Sequence, residues 1–133
     1  MSSEIRVSIG HDSDIVTARQ KGREIAAQVG FKATDLTLIA TAISEVARNI
    51  LTYAKTGEIV LDAVAAGARR GILVVAADQG PGIPDIEQAM RDGFSTGKSP
   101  GLGLPGARRL MDDFKIESKV GEGTTVTMKK WVR

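Results

Sequence analysis

A chain of 133 residues, 42% apolar and 26% charged, has the make-up of one globular domain and argues against disorder. Eighteen Lys+Arg against sixteen Asp+Glu leave a net charge of +2, too small a surplus for a nucleic-acid footprint. The lack of cysteine excludes a disulfide framework, a thiolate zinc site and a cysteine nucleophile, the single histidine (His11) excludes a multi-histidine metal centre, and no run reaches the ~18 apolar residues of a membrane span.

The first residues, MSSEIRVSIGHD, lack the positive-then-apolar order of a signal peptide, so a cytoplasmic location is expected. Within them, Glu4–Ile9 alternates through Ile5, Val7 and Ile9 as a half-buried strand does. His11 then falls in a loop before a helix over Ser13–Val29, where Ile15, Ala18, Gly22, Ile25, Ala26 and Val29 recur at helical spacing and Gly30 stands at the C-cap. A second helix is predicted from an N-cap at Thr34, with Leu36, Ile39, Ala40, Ile43, Ala47 and Ile50 on one stripe. Two strands follow, Gly57–Ala65 and Gly71–Ala77, joined by a turn around Gly67. The second is almost wholly apolar and so belongs in the middle of a sheet. Short helices are predicted at Asp85–Arg91 and Pro105–Asp113, then strands at Lys115–Val120 and Thr125–Val132 around a turn at Gly121–Gly123. Trp131 fits the core or a sheet edge better than a binding anchor. This order predicts an α+β two-layer sandwich, a mixed and mostly antiparallel sheet covered on one face by helices, as a single domain over residues 1–133.

The breakers are concentrated. All four prolines (Pro81, Pro84, Pro100, Pro105) and seven glycines (Gly80, Gly82, Gly93, Gly97, Gly101, Gly103, Gly106) fall between residues 80 and 106. A long loop inside a compact domain is usually functional, so a site is expected there. Two familiar phosphate motifs fail in this window. Gly93–Ser99, GFSTGKS, is one residue short of a Walker A loop because position 92 is aspartate. Gly101–Gly106, GLGLPG, matches G-x-G-x-x-G but follows no strand and precedes a hairpin, not a βαβ unit. What survives is a Gly-rich approach to a helix whose first turn holds Pro105, where free N–H groups and the helix dipole favour an anion; a flexible loop before an ordinary helix fits these residues equally well.

Other pieces are weak singly. Glu45 and Asn49 are four apart, on one helix face opposite the Ile43/Ala47/Ile50 stripe, which by itself reads as a solvated face. Asp78-Gln-Gly80-Pro-Gly82 ends the apolar strand, where a carboxylate can reach a ligand over the sheet and a plain turn is the alternative. Gly121-Glu-Gly123-Thr124 alone is a hairpin turn. Taken in order, however, Glu45-x-x-x-Asn49, Asp78-x-Gly80-x-Gly82, Gly101-x-Gly103 and Gly121-x-Gly123-Thr124 resemble the N, G1, G2 and terminal Gly-Thr elements of the GHKL (Bergerat-fold) ATPases, over essentially the whole chain.

At this size the resemblance sets aside the larger GHKL ATPases with a second domain, and sensor kinases with a phosphoacceptor-histidine helix pair. The chain is most similar to the small bacterial serine/threonine kinases of partner-switching modules. Residues Ile43–Asn49, Asp92–Thr96, Gly101–Asp113 and Trp131–Arg133 look most like the stressosome switch kinases, with anti-sigma-factor kinases as the alternative. The resemblance implies ATP and Mg²⁺ as cofactors. It gives Asp78 the adenine amino group, with Thr124 assisting, and Gly80 and Gly82 the close passage of backbone past the base. Asn49 is implied as the Mg²⁺ ligand, the amides around Gly101, Leu102 and Gly103 as the phosphate cradle, and Glu45 as the residue that orients or deprotonates the attacking hydroxyl. Lys98, in a short lid over Phe94–Pro100, is a candidate for the γ-phosphate or simply a solvated lid lysine; Arg108 and Arg109 receive no role. The implied partners are STAS-domain substrates and a downstream target such as a PP2C-type phosphatase or a sigma factor. A chiefly non-catalytic binding module is the competing reading, but it would need neither Glu45 nor Asn49.

Overall fold

The computed structural model describes residues 4–90 and 103–133. Five strands, β1 (Ile5–Ile9), β2 (Gly57–Ala66), β3 (Arg69–Asp78), β4 (Asp113–Lys119) and β5 (Gly123–Trp131), form one sheet in the order β1-β2-β3-β5-β4. Helices α1 (Asp12–Val29) and α2 (Ala33–Tyr53) lie against it, α4 (Gly103–Leu110) packs on α2, and α3 (Ile86–Ala89) is a single turn. The two-layer α+β sandwich and the central β3 are as the sequence implies. The sheet is antiparallel in every ladder, where a mixed, mostly antiparallel one was expected. The reason is the position of β5. The β4–β5 hairpin turns its second strand toward β3, so β4, which runs in the same direction as β3, is never its neighbour.

Alternation along the strands decides which face is dry. Val7 and Ile9, Ile59 and Leu61, Ile72, Val74 and Ala76, and Val126 and Met128 point toward the helices and are buried, meeting Ile15, Ile25, Ile39, Ile43, Val46 and Ile50. On the opposite face Val60, Leu73 and Val75 are half-buried. There Trp131 is buried, with Arg69 4.2 Å from its ring centroid and its Nε1 donating to Asp113 Oδ2 at 3.0 Å. The tryptophan therefore serves the sheet, as its sequence position suggests. Shortening one core side chain tests this packing: Ile72→Val should cost about 0.5–1.5 kcal/mol, read as a lower urea midpoint with an unchanged m-value.

Element ends show what local sequence misses. Gly30 caps α1 as expected, with φ 113° and its N–H bonded to the Ala26 carbonyl. His11 lies in the loop before α1 as expected and is its N-cap: the Asp14 carboxylate accepts from the backbone N–H groups of Gly10 and His11. The second helix starts earlier than predicted, with Lys32 and not Thr34 as its N-cap and no side-chain capping bond. Buried Phe31 pins the short connection, and the helix begins as soon as the chain leaves it. The Gly67 turn is a two-residue loop closed by the Ala66–Arg69 pair, with Gly67 at φ 62°. The predicted Pro105–Asp113 helix is Gly103–Leu110 in the structure, so Pro105 lies in its first turn, where a missing N–H costs nothing. Its end comes early because Asp112 turns to β5, donating its N–H to the Lys129 carbonyl and accepting from Trp131 N, and Asp113 already belongs to β4.

Candidate functional site

The Gly/Pro-rich window joins β3 to α4, and the motif residues flanking it converge on α2. Glu45 is 7% exposed, not on a solvated face, because α4 packs over that side of the helix. Its Oε2 accepts the backbone N–H of Gly103 at 2.5 Å, and its Oε1 accepts Arg48 Nη1 at 2.8 Å. At the other end of α4, Lys130 Nζ donates to the Leu110 carbonyl at 2.8 Å. The short helix is thus held at its start by a carboxylate and at its end by an ammonium, the signs its dipole favours.

One turn along α2 from Glu45 stands half-buried Asn49. Among the described residues no hydrogen bond engages its carboxamide. A further turn brings the chain to Ala54, the C-cap, which meets the loop after β3. A Cβ added to Gly80 would come within 2.5 Å of the Ala54 Cβ. From Glu45 to Ala54 the helix advances about 13 Å at roughly 1.5 Å per residue. Along that line lie a helix start, an amide oxygen and the end of the central strand.

Asp78 closes β3 on the face that the helices cover, paired in register with Gly57 on one side and Thr124 on the other. Its Oδ1 accepts the Gly80 N–H at 2.9 Å, which fixes the carboxylate; among the described residues no other hydrogen bond engages it. Thr124 is 5% exposed and shares a 2.7 Å hydrogen bond with Ser118 Oγ. Ser118 also accepts the Ile83 N–H at 2.7 Å, and the Gly121 N–H donates to the Pro81 carbonyl at 2.9 Å. These bonds tie the turn between β4 and β5 to the loop after β3, so the second and fourth motif elements form one unit.

The glycines do more local work than the resemblance implies. Gly82 has φ 78°, and a side chain there would strike the Lys119 carbonyl; Gly80 admits Ala54. What these two positions make room for within the fold is protein, the end of α2 and the end of β4. Ser118 is the residue that the sequence reading missed. The signal was present: Phe114, Ile116 and Ser118 alternate on the core side of β4, and a hydroxyl stands where an apolar residue would continue the pattern.

Of the predicted site residues, Glu45, Asn49, Asp78, Gly80, Gly82, Gly103 and Thr124 lie around this end of α2 and β3. Lys98, Gly101 and Leu102, with the proposed lid, lie outside the described residues. A separate open hollow of about 510 Å³, lined by Gly10, His11, Asp12, Leu51 and Lys55, contains none of the motif residues. Among the described residues no three His, Cys, Asp or Glu side chains gather as a metal cage. The Asn49 carboxamide oxygen, which no hydrogen bond engages among the described residues, suits a hard cation such as Mg²⁺, which is commonly held by one or two protein oxygens together with phosphates and water. No helix among the described residues is long and apolar enough to cross a membrane.

Comparison with known proteins gives the chain a family and relatives. The family profile of the histidine kinase-like ATPase domain matches residues 11–130. The chain is 50% identical over 133 residues to the serine/threonine-protein kinase RsbT of Bacillus subtilis, covering all of both chains. It is 34% identical over 121 residues to an anti-sigma F factor of a Thermoanaerobacter species, covering 86% of this chain and 83% of the other. Among solved structures it resembles a mycobacterial sensor histidine kinase, MprB, with a TM-score of 0.59 at 16% identity, over 100% of this chain and 99% of that one. At that identity the last likeness concerns the fold alone.

Proposed function

Because the chain belongs to the histidine kinase-like ATPase family and is a serine/threonine-protein kinase, we propose that it moves the γ-phosphate of ATP, with Mg²⁺, to a serine or threonine on a STAS-domain protein, and is then released to engage a downstream regulator such as a PP2C-type phosphatase. The observation that carries this reading is the line along α2. The Glu45 carboxylate meets the start of α4, Asn49 stands a turn further on, and Ala54 touches the loop that follows Asp78. A triphosphate nucleotide needs an acceptor for its base at one end, anion-binding amides at the other and an oxygen donor for a cation between them.

In this reading the Asp78 carboxylate, held on one side by the Gly80 N–H, accepts from the adenine amino group. Thr124 assists through the hydroxyl pair that it forms with Ser118. The amides around Gly101, Leu102 and Gly103 receive the phosphates, and Lys98 is a candidate for the γ-phosphate. Asn49 would hold Mg²⁺, which when bound offsets the charge of the phosphates. Glu45 orients the attacking hydroxyl and accepts its proton. Phosphoryl transfer relies mainly on positioning and charge neutralisation, which a small domain can supply.

The test is incubation of the purified protein with radiolabelled ATP, Mg²⁺ and candidate STAS-domain proteins. Label on a serine or threonine of such a protein supports the proposal. A stable complex that never acquires label would reduce the chain to a nucleotide-dependent binding module. The anti-sigma likeness gives a second arm to the same experiment, in which capture of a sigma factor would move the role toward that branch.

A further inference from the structure

Glu45 is held by two donors of different kinds. One, the Gly103 N–H, begins α4 and belongs to the segment assigned above to the phosphates. The other is Arg48, one turn along the same helix, whose Nη1 lies 2.8 Å from Oε1. The Arg48 side chain is 42% exposed and that of Glu45 is 8% exposed, so a solvent-facing cation reaches inward to a carboxylate buried beneath it. An ordinary surface pair three residues apart on a helix leaves both partners in water; here one partner sits inside the site.

We infer that Arg48 is a positioning residue for phosphoryl transfer, holding the Glu45 carboxylate in the orientation that accepts the substrate hydroxyl. The inference rests on the kinase reading above. A carboxylate offers about four lone-pair sites, so the two bonds seen leave room for a hydroxyl to donate. Phosphates that draw on the Gly103 N–H compete with Oε2 for it, and Arg48 is then the hold that remains. Without it, a long and flexible side chain is free to leave the attack geometry. In the step itself the hydroxyl oxygen bonds to the γ-phosphorus while its proton passes to Glu45. The bond from the γ-phosphorus to the β–γ bridging oxygen breaks, and ADP leaves with the electron pair.

The experiment compares wild type, Arg48→Gln and Arg48→Lys in the labelled-ATP transfer assay with the STAS-domain protein as acceptor. Affinity for a fluorescent ATP analogue and thermal unfolding are measured on each. Arg48→Gln should lower kcat by about tenfold, the scale of a modest misorientation, with KM for ATP and analogue affinity within about twofold of wild type. Arg48→Lys should recover most of the loss. In a Glu45→Gln background, removing Arg48 should have no further effect, since the two act as one unit. Equal kcat in wild type and Arg48→Gln, or a loss that adds fully to that of Glu45→Gln, overturns the inference and leaves the kinase reading standing. A wild-type chain that transfers no label overturns both.

Discussion

Asn49→Ala is expected to lower Mg²⁺-dependent phosphoryl transfer by about a hundredfold or more while the domain stays folded. The carboxamide is half-buried on α2, between the residue that meets α4 and the residue that meets the loop after β3. Its removal deletes an oxygen donor and leaves no described partner unpaired. Loss of a metal ligand in a transfer reaction forfeits several kcal/mol of charge stabilisation, and each 1.36 kcal/mol is roughly a factor of ten in rate. Alanine is also a stronger helix former than asparagine, so the unfolding midpoint should hold or rise slightly. Single-turnover transfer across a Mg²⁺ titration, with thermal unfolding in parallel, checks this. Normal turnover in a folded variant would remove Asn49 from the metal-holding role.

The second large effect is expected at Asp78. Replacing it with asparagine keeps the volume and one acceptor, so the Gly80 N–H can still be met. The other oxygen becomes an NH₂ that faces a donor where an acceptor is required. A mispaired, partly buried polar contact costs about 1–3 kcal/mol, which is roughly a 5- to 150-fold weaker affinity for ATP. Calorimetric titration with ATP, and with a nucleotide whose base lacks the exocyclic amine, separates the possibilities. Wild type should discriminate strongly between the two and Asp78→Asn hardly at all. Equal discrimination in both would place the base elsewhere.

Much of this architecture is legible in the chain because local and tertiary preferences agree. The apolar run of β3 does lie at the centre of the sheet, the six spaced residues of α1 are all buried, and Gly30 and Gly67 take up the positive φ that their positions suggest. Disagreement appears where a distant element changes an environment. On a helical wheel Glu45 belongs to the wet side of α2; only α4, almost sixty residues later, makes it a buried acceptor. Thr34 is a good capping residue by type, yet buried Phe31 fixes the chain so that the helix starts before it. The motif glycines could be located from spacing, but not the neighbours that they admit, since Ala54 and the Lys119 carbonyl come from other elements. Ser118 was hidden for the same reason. One hydroxyl in an amphipathic strand gains meaning only when Thr124 and the Ile83 N–H are brought to it.

The strand order has a consequence for biosynthesis. β5 fills the place between β3 and β4, yet it is the last of the five strands to leave the ribosome. Until it arrives, the most apolar strand has one bare edge, and Asp78 lacks the neighbour, Thr124, that stands beside it in the finished sheet. A nascent chain therefore carries its stickiest surface uncovered from the completion of β3 until β5 is made, the condition under which partly made proteins aggregate or recruit chaperones. Since a ligand stabilises only a form that can bind it, a nucleotide held at Asp78 and Thr124 as proposed would offer such unfinished chains no protection, and its support would begin only with the final strand.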